Sequence, residues 1–165
     1  MVYYTTFLEL SKDAEKNQEE LEKITELDFG TTKQRTLPES IKYCINLESI
    51  KLMYNELTEL PDVFQQLTKL RELKIHNNKL RKIPESLKFC VNLEYLDCST
   101  NELREIPDFI GELPKLTTLH YINNPLIKYP YFREKQPLFN YSSLNILSPY
   151  STDTSSLSLN EYSSL

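Results

Sequence analysis

The chain has 165 residues, 39% hydrophobic and 26% charged, with a formal net charge of −5, two glycines and three cysteines. That is about one domain's worth of chain. Gly30 and Gly111 alone cannot build a phosphate-cradling loop or a dinucleotide fingerprint, and three cysteines make no disulfide framework, which excludes the common nucleotide-dependent enzymes and disulfide-stapled scaffolds.

The start, Met1-Val2-Tyr3-Tyr4, has no basic segment followed by an apolar stretch, and Val2 does not fit the myristoylation signal. No apolar run approaches the roughly 20 residues that cross a bilayer. A soluble, cytoplasmic, reduced protein is expected. Residues 1–24 hold six acids against three lysines, whereas residues 25–140 hold 16 charges of each sign. A balanced middle segment gives no field for steering toward a polyanion, so neither nucleic acid nor membrane is an expected partner.

Residues 7–24, FLELSKDAEKNQEELEKI, contain helix formers and neither Gly nor Pro, and Phe7, Leu10, Ala14, Leu21 and Ile24 can share a face. They predict a capping helix occupying 1–23. From residue 24 a 23-residue period takes over. It aligns Leu47, Leu70, Leu93 and Leu116; Asn55, Asn78, Asn101 and Asn124; and Pro38, Pro61, Pro84, Pro107 and Pro130. The segments LESIKLMYNEL, LRELKIHNNKL, LEYLDCSTNEL and LTTLHYINNPL all fit L-x-x-L-x-L-x-x-N-x-L, with Ile, Cys or Tyr allowed at an inner leucine. A weaker copy places Ile24, Leu27, Phe29 and Thr32 in the same register. The units thus start at 24, 47, 70, 93 and 116.

Apolar residues alternate in the first half of each unit, the period of a half-buried strand. Ile50, Leu73, Leu96 and Leu119 form one inward column, and Leu52, Ile75, Cys98 and Tyr121 the next. The asparagine comes where the chain leaves the strand; its amide has the donors and acceptor to satisfy buried turn groups, here expected on both neighbouring units. Thr32 supplies only a hydroxyl. The second half reads TLPESI, ELPDVF, KIPESL and EIPDFI. Proline is preset near helical φ and lacks an N–H, which predicts it at the first position of a short helical turn, the following acid meeting that turn's positive end. Ile41, Phe64, Leu87 and Ile110 then return to the core, followed by Cys44, Leu67, Cys90 and Leu113.

Stacking such units buries a continuous core that no single unit could bury. The pattern resembles the 23-residue class of intracellular leucine-rich-repeat proteins, which includes the Ras-suppressor, Scribble-type and plant Ras-group-related proteins, over about residues 20–135. The acidic helix before the first T-E-L-D strand is similar to that of bacterial and Ras-of-complex-type relatives. The resemblance implies an α/β leucine-rich-repeat solenoid: a parallel concave sheet of five or six strands, short helical or extended convex segments, and a non-catalytic scaffold for protein interaction, with signalling-related roles among its relatives. The repeat domain is placed at 24–147, including a sixth, capping strand at 141–147, and Ser148–Leu165 reads as a Ser/Thr-rich mobile tail.

Cys44, Cys90 and Cys98 occupy leucine positions of the repeat and read as core, and their separations fit no zinc spacing. His76 and His120 lie two units apart, too far for a dyad. No catalytic, metal-binding or cofactor-binding residue is expected. Bacterial repeat-containing ubiquitin ligases need a separate catalytic domain, and only about 30 residues follow residue 135. Asn140-Tyr141-Ser142 fits a glycosylation acceptor only if the protein is secreted.

Outward positions form the columns Glu26, Ser49, Glu72, Tyr95, Thr118 and Asp28, Lys51, Lys74, Asp97, His120. Two further columns follow the strand ends: Gly30, Met53, His76, Ser99, Ile122 and Thr31, Tyr54, Asn77, Thr100, Asn123. The expected partner-binding set on the concave face is Lys51, Met53, Tyr54, Glu72, Lys74, His76, Tyr95, Asp97, His120 and Ile122. Tyr54 and Tyr95 are its anchors, and the Lys51/Lys74 pair orients the ligand. A monomer binding a protein or peptide is the favoured reading. A passive oligomerising repeat protein and an effector-type enzyme fragment are the alternatives.

Overall fold

The structure, a computed structural model, describes residues 18–128. One helical turn, α1 (Gln18–Leu21), is followed by β1 (Glu26–Asp28), β2 (Ser49–Lys51), β3 (Glu72–Lys74), β4 (Tyr95–Asp97) and β5 (Thr118–His120). The strands form one parallel sheet in chain order. Its register advances by 23 residues per strand, so that Leu27, Ile50, Leu73, Leu96 and Leu119 lie in line. The expected α/β solenoid is therefore the observed fold. Of the capping helix only the stretch from Gln18 is described, where Leu21 and Ile24 are buried. The sixth strand at 141–147, the tail from Ser148 and Asn140 lie outside the described residues.

Both inward columns are sealed through the fourth unit: Ile50, Leu73, Leu96, Leu52, Ile75 and Cys98 are fully buried, as are Ile41, Phe64 and Leu87 on the opposite wall. In the fifth unit Leu119 and Tyr121 are only partly buried. Hydrogen bonding continues past the strands along every coil, from Leu52 N–H to Lys74 O and from Tyr54 N–H to His76 O, at 2.8 and 3.1 Å.

The asparagines make the ladder, with a direction that spacing does not reveal. The Asn78 side-chain N–H groups donate to Ile75 O in its own coil (3.1 Å) and to Leu52 O in the preceding one (2.9 Å), while Oδ1 accepts from Leu57 N–H (3.0 Å). Asn101 repeats this with Cys98, Ile75 and Leu80, and Asn124 with Tyr121, Cys98 and Leu103. Each amide thus serves its own coil and the one before, which corrects the expectation of contacts on both sides. The link to the following coil is made by the backbone, Asn78 N–H donating to Thr100 O at 3.2 Å. Thr32 ends the ladder, its hydroxyl lying 2.8 Å from Phe29 O and 3.3 Å from Asn55 Oδ1.

The prolines also need correcting. Pro38, Pro84 and Pro107 are extended residues that precede the 3-10 helices Glu39–Tyr43, Glu85–Phe89 and Asp108–Glu112. Their carbonyls accept the first i→i+3 bonds, from Ile41, Leu87 and Ile110; a residue in that role caps the helix from outside it. The acid after each proline is the first helical residue. In the second unit the turn is shorter, Phe64–Gln66, because Asp62 is drawn to the next coil: its carboxylate accepts from Ser86 N–H at 2.8 Å, and Ser86 Oγ accepts from Phe64 N–H at 3.0 Å.

That exchange exposes a second period of 46 residues. PESIKYCINLE (38–48) matches PESLKFCVNLE (84–94), whereas PDVFQQLTKLR (61–71) matches PDFIGELPKLT (107–117). Two kinds of coil alternate, and their junctions are chemically matched. Lys69 reaches back to Asn46 Oδ1 at 2.6 Å and Lys115 to Asn92 Oδ1 at 2.7 Å. Among the described residues no such coil precedes Ser40, the counterpart of Ser86, and its buried hydroxyl oxygen has no partner. On the flank the signs alternate as well, with Arg35 beside Glu56 at 3.4 Å and Arg81 beside Glu102 at 3.2 Å.

Replacing Asn78 with Ala leaves Leu57 N–H without its partner inside the stack and removes one of the two amide donors to Leu52 O and to Ile75 O, the others being Asn55 and Asn101. Denaturant unfolding should show a loss of roughly 1–3 kcal/mol. Thr32→Ala, in the first coil, should cost clearly less; equal losses would contradict the ladder.

Candidate recognition face

The sheet brings the expected columns together as written: Glu26, Ser49, Glu72, Tyr95 and Thr118 are register partners, as are Asp28, Lys51, Lys74, Asp97 and His120. Lys51 and Lys74 therefore stand directly opposite each other. Like charges so placed repel, and each ammonium turns to a carboxylate of the neighbouring column. Lys51 pairs with Glu26, and Lys74 lies 2.6 Å from Glu72. The Glu26 hydrogen bond holds the Lys51 ammonium protonated above its ordinary range. Burial disfavours the charged form of Glu72, yet hydrogen bonds from Lys74 and Ser49 outweigh it and hold the carboxyl below its ordinary range. Lys74 also sits 5.3 Å over the Tyr95 ring. The expected contact set omits Glu26 and Ser49, which the structure joins to Lys51 and Glu72.

The remaining expected residues form an aromatic run across the strands. Tyr54 meets His76 edge-on at 5.4 Å, and Tyr95 lies 5.6 Å from His120. Asp97 Oδ2 lies 3.0 Å from His76 Nδ1, off line for a hydrogen bond, while Asp97 Oδ1 accepts from Ser99 N–H. Met53 flanks Gly30, where an added Cβ would stand 3.1 Å from the thioether sulfur. Tyr54 and Ile122 project most, at 58% and 42% exposure.

The column ending in Asn123 has a backbone property that sequence reading did not find. Thr31, Tyr54, Asn77, Thr100 and Asn123 all have positive φ, from 52° to 61°. Asparagine tolerates this left-handed region, whereas a β-branched threonine or a bulky tyrosine is strained there. Asn77 and Asn123 were the available signal. Thr31, Tyr54, Asn77 and Thr100 each donate to the next coil, Thr100 N–H to Ile122 O at 2.8 Å, and all of the column but Thr31 directly precede a ladder asparagine.

The three thiols are where the core reading puts them. Cys44, Cys90 and Cys98 are free and buried, and burial pushes the first two up to about 12 and Cys98 higher still. A thiol so protonated is a poor nucleophile at neutral pH. Among the described residues no three His, Cys, Asp or Glu side chains cluster closely enough to hold a metal ion. None of the described helices is long and apolar enough to cross a membrane. What the face offers chemically is contact area with a few fixed polar groups.

Comparison with known proteins identifies the coils as leucine-rich repeats. Family models described as leucine rich repeat match residues 32–80 and 92–113. No curated protein matches the chain. Among solved structures, an internalin (inlF) from Listeria monocytogenes matches over 74% of this chain and 41% of its own length, with 24% identity and a TM-score of 0.60. A leucine-rich-repeat protein from Leptospira interrogans covers 66% of the chain and 37% of its own, at 24% identity and a TM-score of 0.56. A plant ice-binding protein covers 61% and 34%, at 33% identity and a TM-score of 0.55. The chain thus spans less than half the length of each of these structures. The fold is a leucine-rich-repeat solenoid.

Two measurements check this description. Thr100→Asn should raise stability by roughly 0.5–1 kcal/mol, because asparagine accepts the left-handed backbone at that position; a lower denaturation midpoint would contradict it. In the native protein at pH 8, iodoacetamide should modify the three cysteines far more slowly than after unfolding. Rapid labelling of any one, read by mass spectrometry, would remove it from the core.

Proposed function

We propose that this leucine-rich-repeat chain is a non-catalytic recognition module that takes a protein or peptide partner on its sheet face. One observation carries the reading: the two most similar coils differ where they face outward. Segments 38–48 and 84–94 are identical at eight of eleven positions, and Asn55-Glu56-Leu57 recurs as Asn101-Glu102-Leu103. Between these matched stretches every outward position has changed: Ser49 to Tyr95, Lys51 to Asp97, Met53 to Ser99 and Tyr54 to Thr100. Packing constrains the back, the turns and the ladder equally in both copies. The inward changes, Ile50 to Leu96 and Leu52 to Cys98, stay apolar, whereas the face changes in charge and size and presents a strained, exposed Tyr54 beside the partly buried His76 and Tyr95.

The module works as a monomer in a reduced, intracellular setting, a reading supported by three buried free cysteines and by the 23-residue period itself. Five strands about 4.8 Å apart make a face only about 20 Å across, so affinity is modest, in the range of interfaces at or below about 800 Å² per partner.

The test uses the first partner obtained by cross-linking to the full chain. Tyr54→Ala with Tyr95→Ala should weaken binding at least about tenfold, mainly through faster dissociation, at an unchanged sedimentation coefficient. Self-association across a hundredfold concentration range, with no partner sensitive to these variants, would favour the passive oligomerising alternative.

A further inference from the structure

The recognition face is divided into two strips of different character, which deepens the proposed function and rests on it. Along the strands lie all of its formal charges: Glu26, Asp28, Glu72 and Asp97 against Lys51 and Lys74. Both cations are engaged within the face, by Glu26 and by Glu72 with the Tyr95 ring. Asp28 and Asp97 are tied to the turns that follow, each accepting from the N–H two residues ahead, Gly30 and Ser99. An incoming carboxylate would therefore find no free ammonium there, and a net excess of negative charge.

Beyond the strand ends the second strip runs across all five coils with no Asp, Glu, Lys or Arg: Gly30, Met53, His76, Ser99 and Ile122 in one column, Thr31, Tyr54, Asn77, Thr100 and Asn123 in the other. The most exposed apolar groups of the face, Tyr54 and Ile122, belong to it. It is also rigid. Sheet-like hydrogen bonds continue beneath it, and Tyr54 and Thr100 are held in left-handed backbone that asparagine adopts with less strain in neighbouring coils. A tyrosine kept there at a cost to stability, and fixed in place before any contact, loses little freedom on binding.

We infer that the uncharged strip, and not the lysine pair, is the contact surface, and that it takes a neutral, apolar polypeptide segment lacking Asp and Glu. Tyr54 and Ile122 are three coils apart, about 14 Å, which four or five extended residues span. The partner places one aromatic or aliphatic side chain against Met53, Tyr54 and His76 and another against Ile122. Its backbone amides meet Asn77, Ser99 and Thr100.

Random eight-residue peptides displayed on phage and selected on the full-length chain provide the test. Enriched sequences should be rich in aromatic and aliphatic residues and depleted in Asp and Glu. Their synthetic versions should bind with less than about a twofold change between 0.05 and 0.5 M NaCl. Tyr54→Asn, which relaxes the backbone while removing the ring, should weaken them about tenfold, and Lys51→Gln with Lys74→Gln should leave them unchanged. Acid-rich peptides, steep salt dependence or loss of binding in the lysine variant would overturn the strip but keep the face. Peptides that bind and ignore both variants would overturn the strip and the proposed function together. A selection without enrichment would overturn the peptide segment as partner, while a folded domain could still use the face.

Discussion

The asparagine amide at the end of each strand is the interaction on which the rest of this structure depends. A solenoid coil must turn sharply off its strand while packed against its neighbours, where water cannot satisfy the backbone. Asn55, Asn78, Asn101 and Asn124 each bind carbonyls of two coils and an N–H of the coil before, so the turn is closed by protein groups alone. This fixes the distance between coils directly beyond the left-handed column. Removing the amide would loosen the stack, and would also release the residues that present the outer strip of the face.

The second constraint is the match between alternating coils. Leucine packing alone would let any coil follow any other, because the inward columns are interchangeable. The Asp62–Ser86 exchange and the Lys69–Asn46 and Lys115–Asn92 bonds are specific to order. Exposed ion pairs on the flank add little individually, yet they alternate in the same sense. The scaffold is therefore specified twice, by a 23-residue apolar period and by a 46-residue polar one. The face obeys neither beyond its inward residues, and that freedom is what points to recognition.

Much of this is legible in the order of the residues alone. Strand alternation and the fixed period place Ile50, Leu73, Leu96 and their neighbours inside, the cysteines among them, and put each outward residue in its column. Spacing misplaces the prolines by one position, because it cannot tell whether a proline begins a 3-10 turn or lends it a carbonyl. The direction of the ladder is hidden for a related reason: the amide's composition gives its capacity but not its orientation. Lys51 looks like a free cation in sequence because Glu26 is 25 residues away and the register brings the two side by side, whereas Glu72, two residues from Lys74, is the nearer signal. The left-handed column is masked by Tyr54 and Thr100, residues that local propensity would never assign to it. The alternation of coil types is present in the letters, overshadowed by the stronger leucine period.

Native-state hydrogen exchange tests the account most directly. If the asparagine amides close the turns and hold the strip rigid, then Leu57, Leu80 and Leu103 N–H, which donate to Asn78, Asn101 and Asn124, should exchange only through global unfolding. So should Tyr54, Asn77 and Thr100 N–H beneath the strip, all with protection matching the free energy from denaturant unfolding. Exchange of the strip amides through local opening, while the strand amides stay protected, would contradict a preformed recognition surface.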